Sequence, residues 1–264
     1  LGVVDANGNV LFVDPDARNP EPIIIYEAGG GFDEAVKISA VDDQVAVLTD
    51  SGDITLTPSN GRADPDVIQV AWDAAEEGAK ATDLSSVDGF VPFVLDNGNA
   101  QMIVVGNDNA VVPIWVAAEQ PAAFNVGGSP TGILLGVGQG AVARYNFNTD
   151  ADTVLESVWD PFTREDEPAI GYSSAGAATA IVTGDGAIVL ADESGGGPLL
   201  WDPVLTEIRA FIALGTDTQV VVLLETGSVV RIPIDPDELI ESIWDITDET
   251  LSPANQVIVE PTEG

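Results

Sequence analysis

Short runs of β-branched residues alternate with turn-forming residues along the whole chain. Val45–Leu48 is followed by the turn Asp50–Asp53 and then by Ile54–Leu56, and the same order recurs around Gly186 and Gly227. Asn-Gly, Asp-Gly and Ser-Gly pairs accept the positive φ angles that tight hairpin turns require. The pattern therefore predicts pairs of antiparallel strands joined by tight turns.

Six such turns recur at nearly even spacing, and each contains a glycine: Gly8, Gly52, Gly98, Gly140, Gly186 and Gly227. Successive glycines lie 44, 46, 42, 46 and 41 residues apart, and 45 residues separate the last from the first if the chain ends are joined. These six intervals use all 264 residues. The spacing predicts a single repeat domain over residues 1–264 whose two ends meet.

An aromatic residue follows each turn by 15 to 20 residues: Tyr26, Trp72, Trp115, Trp159, Trp201 and Trp244. All five tryptophans of the chain occupy this position, and four of the six aromatics are followed by aspartate. We interpret the set as a structural repeat in which each ring packs between neighbouring repeats. A ligand-stacking role for the six rings is the alternative. The aspartates after the rings are expected to begin turns and accept backbone N–H bonds.

A further strand is predicted before each hairpin, as in Val36–Ala40 and Thr82–Ser86, and it runs into small residues. The copy missing before the first hairpin appears at the other end of the chain, as Gln256–Glu260. Four strands in each of six repeats of 40 to 46 residues predict an all-β fold, a six-bladed β-propeller of four-stranded blades. The C-terminal strand is expected to join the N-terminal blade and close the ring.

Within that architecture, the segment from Phe211–Gly215 through Leu223–Val229 resembles the repeat of RCC1-like propellers. Such repeats usually carry a histidine before the hairpin, and this chain contains no histidine. The Gly-His pair of the WD40 class is absent for the same reason. The resemblance implies the architecture only and assigns no functional residue.

The chain is strongly acidic, with 44 acidic and 8 basic residues and a net charge of −36. Because 45% of its residues are hydrophobic, it is nevertheless expected to fold. Concentrated salt would screen the repulsion, since the Debye length falls to about 3 Å at 1 M. The composition resembles that of haloarchaeal and halovirus proteins. The alternative is a specialised acidic surface that recruits basic partners or many cations.

The same composition narrows the chemistry that the protein can perform. With no basic stripe to neutralise phosphates, we expect no nucleic-acid partner, and with no apolar run near 18 residues we expect no membrane insertion. The lack of histidine and cysteine excludes histidine-dependent triads and thiolate metal sites. We predict no catalytic residue, no tightly bound metal and no cofactor, apart from loosely bound cations such as Ca, Mg, Na or K.

Three of the turns begin like calcium-binding loops, namely Asp5–Asn9, Asp50–Asp53 and Asp96–Asn99. Each lacks the distal glutamate that such a loop needs. Aspartate, asparagine and glycine are also the residues that a hairpin turn selects for its conformation. We therefore predict plain turns, with a cation site as the alternative.

The most acidic segments connect the last strand of one repeat to the first strand of the next. We predict an interaction surface there, formed by Glu76, Glu77, Glu119, Arg164, Glu165, Asp166, Glu167, Asp248 and Glu249. In a propeller these connections lie on the same face as the hairpin turns. The surface would hold cations or meet a basic partner; an ordinary solvated halophilic surface is the other interpretation.

Short repeats without long inserted loops favour a rigid interaction module over an enzyme. We predict a structural or binding module of a halophilic system that contacts other proteins of a larger assembly or a surface receptor. A virion component (capsid decoration, spike or tail-associated protein) or a cell-surface protein fits this prediction. The expected location is a virion or the cell exterior, with a cytoplasmic location left open. The alternative is a carboxylate-metal hydrolase or lyase, for which Asp83 is the chief carboxylate on a first strand.

Overall fold

The computed structural model is built almost entirely from antiparallel β-strands. It describes residues 2–13, 21–29, 31–59, 67–106, 108–118, 120–129, 132–146, 155–161, 167–175, 178–191, 197–215 and 218–234. In this part of the chain, twenty-two strands form six sheets, and two helices of four residues lie in connections between sheets. The predicted all-β class is confirmed.

The first three sheets follow one another along the chain. The first sheet contains β1 (Gly2–Val4), β2 (Val10–Phe12) and β3 (Ile23–Tyr26). The second contains β4 (Ala35–Val41), β5 (Gln44–Thr49), β6 (Ile54–Pro58) and β7 (Gln69–Trp72). Helix α1 (Ala74–Glu77) leads to the third, with β8 (Ala81–Leu84), β9 (Phe90–Leu95), β10 (Ala100–Val104) and β11 (Ala110–Trp115).

The last three sheets repeat this order. The fourth sheet contains β12 (Ala123–Ser129), β13 (Gly132–Val137), β14 (Ala141–Asn146) and β15 (Leu155–Trp159). The fifth contains β16 (Ala169–Ala175), β17 (Ala178–Thr183), β18 (Ile188–Ala191) and β19 (Leu199–Trp201). Helix α2 (Pro203–Thr206) leads to the sixth, with β20 (Ala210–Gly215), β21 (Gln219–Leu224) and β22 (Val229–Pro233).

In every sheet, strands that are consecutive in sequence are neighbours in space. The second to fifth sheets therefore have the four strands that the repeat predicts, with the aromatic residue ending the fourth strand. The chain divides into two compact units, Leu1–Ser157 and Val158–Gly264. The first four sheets, except for the end of β15, belong to the first unit, and the fifth and sixth belong to the second.

The core of each unit is built on the second strand of each sheet. Most of these strands are buried on both faces and are therefore almost continuously apolar, as in β5 (QVAVLT) and β13 (GILLGV). One position of this strand is completely buried in five sheets, where it is occupied by Val47, Phe93, Leu135, Ile181 and Val222. Burial of these side chains contributes about 1.5–3 kcal/mol for each.

The first sheet differs from the others at this position. In this sheet β1 is the counterpart of the second strand of the others, because Val3 pairs with Leu11 in the way that Val47 pairs with Thr55. Val3 therefore occupies this position, and it is 44% exposed. The strand predicted to precede β1, Gln256–Glu260, lies outside the described residues, as does Trp244. Within the described part of the chain, no helix is long and apolar enough to cross a membrane.

Candidate interaction surface

Each described aromatic of the repeat is buried and anchors the connection that follows it. The rings are at most 6% exposed. Each donates one hydrogen bond to a backbone carbonyl oxygen 6 to 8 residues further on: Tyr26 to Asp33 (2.8 Å), Trp72 to Ala79 (3.1 Å), Trp115 to Pro121 (2.8 Å), Trp159 to Glu167 (3.1 Å) and Trp201 to Ile208 (2.8 Å). The bond closes the connection into a loop of fixed size.

The rings also pack against the next sheet, as the sequence predicts. Trp72 lies 5.1 Å from Phe93 of the third sheet, measured between ring centroids. Tyr26 belongs to the same buried cluster as Val47, and Trp201 belongs to the same cluster as Val222. In these clusters the ring of one sheet thus lies against a buried residue of the next, and Trp244 lies outside the described residues.

The aspartates after two of the tryptophans begin the short helices. Asp73 caps α1 and accepts hydrogen bonds from the N–H groups of Ala75 (2.9 Å) and Glu76 (3.0 Å). Asp202 caps α2 in the same way, with Val204 at 2.8 Å and Leu205 at 3.4 Å. Aspartate is among the best residues at this position because its carboxylate satisfies N–H groups that the helix leaves unpaired. The predicted role of these two aspartates is confirmed.

In four of the six repeats, the glycine of the hairpin turn contacts the start of the next sheet. In four repeats its carbonyl oxygen accepts a hydrogen bond of 2.9–3.0 Å from an alanine that begins a first strand: Gly8 from Ala35, Gly52 from Ala81, Gly98 from Ala123 and Gly186 from Ala210. All four glycines have φ between 75° and 93°. A Cβ on any of them would lie 2.6 Å from the Cβ of the residue before that alanine. These positions require glycine for conformation and for space.

The residue after the glycine makes a second link in three repeats. Asn9 Oδ1 accepts the N–H of Ala28 at 3.0 Å. Asp53 Oδ1 accepts the N–H of Ala74 at 2.8 Å, and Asn99 Oδ1 accepts that of Ala117 at 2.9 Å. These turn side chains are thus used to hold the connection, as a structural turn requires. Sequence reasoning missed the link, although in each case the acceptor directly follows the glycine and the donor lies two residues after the aromatic.

The turn that most resembles a calcium loop uses its carboxylate internally. Asp5 accepts the N–H groups of Asn7 (2.8 Å) and Asn9 (3.0 Å) and the side-chain amide of Asn9 (2.9 Å). These hydrogen bonds, that from the Asn9 side chain above all, lower the pKa of Asp5. The arrangement matches the turn that the sequence predicts.

The structure places three residues of the predicted interaction surface. Glu76 and Glu77 are exposed on α1, and Glu167 is exposed in the connection before β16. The other six (Glu119, Arg164, Glu165, Asp166, Asp248 and Glu249) lie outside the described residues. Because Asp53 and Gly52 hold the connection that contains α1, the exposed glutamates of α1 are presented on a fixed backbone.

An exposed apolar pair occupies the corresponding positions of the fifth repeat. Val204 and Leu205 on α2 are 82% and 76% exposed, the highest values among the large exposed apolar residues of the described chain. They lie three and four residues after Trp201, where Ala75 and Glu76 lie after Trp72. Sequence reasoning missed this pair, although aligning the connections on their tryptophans would have revealed it.

The first strands carry one ion pair that sequence reasoning also missed. Lys37 of β4 pairs with Asp83 of β8, and the second carboxylate oxygen of Asp83 accepts the N–H of Val126 at 2.9 Å. The carboxylate named for a metal-dependent enzyme is thus bonded to an ammonium group and to a neighbouring strand. Among the described residues, no group of three or more acidic, histidine or cysteine side chains is arranged to hold a metal.

The turns and connections also shift the pKa values of two other ionisable groups. Burial, above all, raises the pKa of Tyr26 to about 12, in keeping with a hydroxyl that donates to the carbonyl of Asp33. The hydroxyl of Thr183 donates to Asp185, and this bond lowers the pKa of that carboxyl. Arg209 lies close by, where its guanidinium donates to the carbonyl oxygens of Gly184 and Asp185.

No protein-family profile and no curated protein sequence matches the chain. Solved structures do match. YCF48 bound to D1 peptide gives a TM-score of 0.62 at 15% identity over 89% of this chain and 74% of that chain. Yeast RCC1 (Prp20) bound to Kap60 gives 0.62 at 9% identity over 88% and 67%. The chain has a β-propeller fold.

A further match is human WBSCR16, with a TM-score of 0.57 at 12% identity over 80% of this chain. The chain covers 65% of WBSCR16, slightly less than two thirds of that protein. A propeller blade is a four-stranded antiparallel sheet, which is the form of the second to fifth sheets. At identities of 9–15% the likeness establishes the propeller fold and leaves function to the residues of this chain.

Proposed function

We propose that this protein is a non-enzymatic binding module that contacts other proteins through the connections between its sheets. The observation that carries the proposal is the contrast between framework and surface within one connection. Trp72 and Trp201 each anchor the connection that follows by the same hydrogen bond, and an aspartate caps the short helix in both connections. The exposed residues on α1 and α2 differ. A constant frame that displays variable side chains is suited to recognition. YCF48 was solved with D1 peptide and yeast RCC1 with Kap60, which supports a protein partner.

We further propose that the domain is a single six-bladed propeller closed by its C-terminal segment. The support is Val3, which is 44% exposed where its five counterparts are completely buried. The counterparts Val47 and Val222 each share a cluster with the aromatic of the preceding repeat. In this proposal Gln256–Glu260 pairs with β1, and Trp244 packs on Val3.

Closure is tested by deleting residues 254–264. The shortened chain is expected to lose stability and to gain hydrogen exchange in β1, and an added peptide of residues 254–264 is expected to reverse both changes. The deletion of residues 261–264, beyond the proposed strand, is the matched control. Equal melting temperatures for the full chain and the chain without residues 254–264 would contradict closure.

The proposed setting is a halophilic system, with the protein as a virion component or a cell-surface protein outside the cell. A net charge of −36 on 264 residues supports it, since concentrated salt relieves the repulsion among the carboxylates. Capsid decoration, a spike or a tail-associated role would use the same exposed connections. Salt dependence tests the setting: stability is expected to rise from 0.1 M salt to about 2–3 M as repulsion is screened. A protein equally stable at both would contradict it.

The binding function is tested by light scattering after size-exclusion chromatography in concentrated salt, together with elemental analysis of the eluted protein. We expect co-elution with other proteins of its source, or a defined oligomer, without a stoichiometric divalent ion. A monomer that carries one divalent ion per chain and binds no virion or cell component would overturn the proposal.

A further inference from the structure

The turn at α2 differs from its counterpart in a way that folding does not explain. Val204 and Leu205 are 82% and 76% exposed, so they contribute little to the core. Valine is also a weaker helix former than the alanine found at the same place in α1. Neither packing nor local conformation therefore favours this apolar pair in a chain with 44 acidic residues.

Acidic residues lie on both sides of the apolar pair along the chain. Asp202 caps α2, and the exposed Glu207 follows it. A carboxylate oxygen of Glu225 accepts the N–H of Arg209 at 3.1 Å, and the exposed Asp185 holds the same arginine through its carbonyl oxygen. Asp202 and Glu207 thus adjoin the pair in sequence, and Glu225 and Asp185 meet Arg209 at the end of the same connection.

The backbone of this turn is rigid enough to present a defined surface. The Asp202 cap fixes its beginning, and the bond from Trp201 to the carbonyl of Ile208 fixes its end. The hydroxyl of Thr206 adds bonds to the carbonyl oxygens of Asp202 (2.8 Å) and Ile208 (3.1 Å). A partner would lose little entropy in ordering such a site.

We propose that Val204 and Leu205 form the docking site for a protein segment in which apolar side chains are flanked by lysine or arginine. The inference rests on the proposed binding function and names the surface and the partner chemistry. The apolar side chains of the segment would cover Val204 and Leu205, and its cations would lie beside the exposed Glu207, on a chain whose net charge is −36. Charge complementarity favours a basic segment over a second copy of this acidic chain.

The test exchanges the exposed residues between the two turns. The loss variant is Val204→Ala with Leu205→Glu, which gives α2 the residues of α1. The gain variant is Ala75→Val with Glu76→Leu, which gives α1 the residues of α2. The loss variant adds a carboxylate, so attraction by charge alone predicts tighter binding of a cation, whereas docking on the apolar pair predicts weaker binding.

The probe is a fluorescently labelled twelve-residue peptide of alternating leucine and lysine pairs, followed by anisotropy at low and at high salt. We expect the loss variant to bind it about tenfold more weakly than the unchanged protein. The gain variant is expected to bind more tightly, and a peptide with serine in place of leucine is expected to bind none of the three. Melting temperatures measured alongside show whether each variant folds.

Equal or tighter binding by the loss variant would overturn the site, as would equal binding of the serine peptide or no binding of either peptide. Self-association that disappears in the loss variant would also overturn the proposed partner in favour of a second copy. If the loss variant still co-elutes with its natural assembly, the site fails and the binding function stands. An ion-bearing monomer without partners would overturn both.

Discussion

The connections after Trp72 and Trp201 have equivalent buried contacts and differ in their exposed residues. Both tryptophans are buried, both bond to a carbonyl seven residues ahead, and both are followed by an aspartate that caps a four-residue helix. The exposed residues that follow are Ala75 and Glu76 in one turn and Val204 and Leu205 in the other. The comparison separates what the repeat needs in order to fold from what it is free to vary.

The largest effect is expected from removing the shared ring. Trp72→Ala and Trp201→Ala should each destabilise the protein by about 3–5 kcal/mol, because a large buried side chain leaves a cavity. Phenylalanine at either position retains most of the packing and loses mainly the indole hydrogen bond, at about 1 kcal/mol. Denaturant unfolding in concentrated salt measures both. A large loss at one tryptophan only would show that the two interiors are not equivalent.

The next largest effect is expected at the hairpin glycine that supports the first of these turns. Gly52→Ala should cost about 2–4 kcal/mol, because it strains a φ of 93° and brings a Cβ within 2.6 Å of Lys80 Cβ. Gly29→Ala is the matched control, with φ of 87° and no atom within 4 Å of the added Cβ. It should cost about 1 kcal/mol. Equal losses would mean that contact with the next sheet contributes nothing.

The caps test whether the two short helices are equally important. Asp73→Ala and Asp202→Ala should each cost about 1 kcal/mol, since two backbone N–H groups lose their acceptor. Asparagine at either position keeps an acceptor and should cost much less. Thermal unfolding of the four variants gives the differences. A neutral alanine variant would contradict the capping role at that position.

The first repeat, with tyrosine in place of tryptophan, adds a pH dependence. The pKa of Tyr26 is raised from 10.0 to about 12, so the folded protein holds the proton more tightly than the unfolded chain. The stability that this group contributes is complete below pH 10 and is lost as pH rises through about 12. Tyr26→Phe should flatten the stability profile in that interval. An unchanged profile would contradict the shifted pKa.

The smallest effect on stability is expected from exchanging the exposed residues. Val204→Ala with Leu205→Glu, and Ala75→Val with Glu76→Leu, should each change the free energy of unfolding by no more than about 0.5 kcal/mol. All four side chains are exposed, so no cavity or unpaired buried group results. A loss of several kcal/mol would show that the apolar pair belongs to the core after all.

The hairpins and the aromatic positions were predictable because their requirements are local or repeat along the chain. A tight turn selects glycine whatever surrounds it, and a repeated ring is visible in a single sequence. The start of each first strand was harder to predict from the sequence: β4 was predicted to begin at Val36 and begins at Ala35. Alanine has little preference for strands, and its place is set by a hydrogen bond to Gly8 of the preceding hairpin.

The candidate site was predictable only in part. The exposure of Glu76 and Glu77 follows from their charge, whereas the pair at Val204 and Leu205 contradicts the ordinary preference of apolar residues for the interior. Lys37 and Asp83 lie 46 residues apart, about one repeat, and meet because neighbouring repeats place equivalent positions side by side. Pairwise comparison of repeats would have exposed both features.

The bond from a hairpin glycine to the next first strand, seen in four repeats, also bears on how the protein could have evolved. Since Gly52 belongs to the second sheet and its partner Ala81 to the third, this hydrogen bond links two sheets. A gene duplication that copied whole sheets would preserve this overlap only if the turn of one copy met the first strand of the next. Gain or loss of repeats is thereby restricted to segments whose ends keep each hairpin turn next to a following first strand.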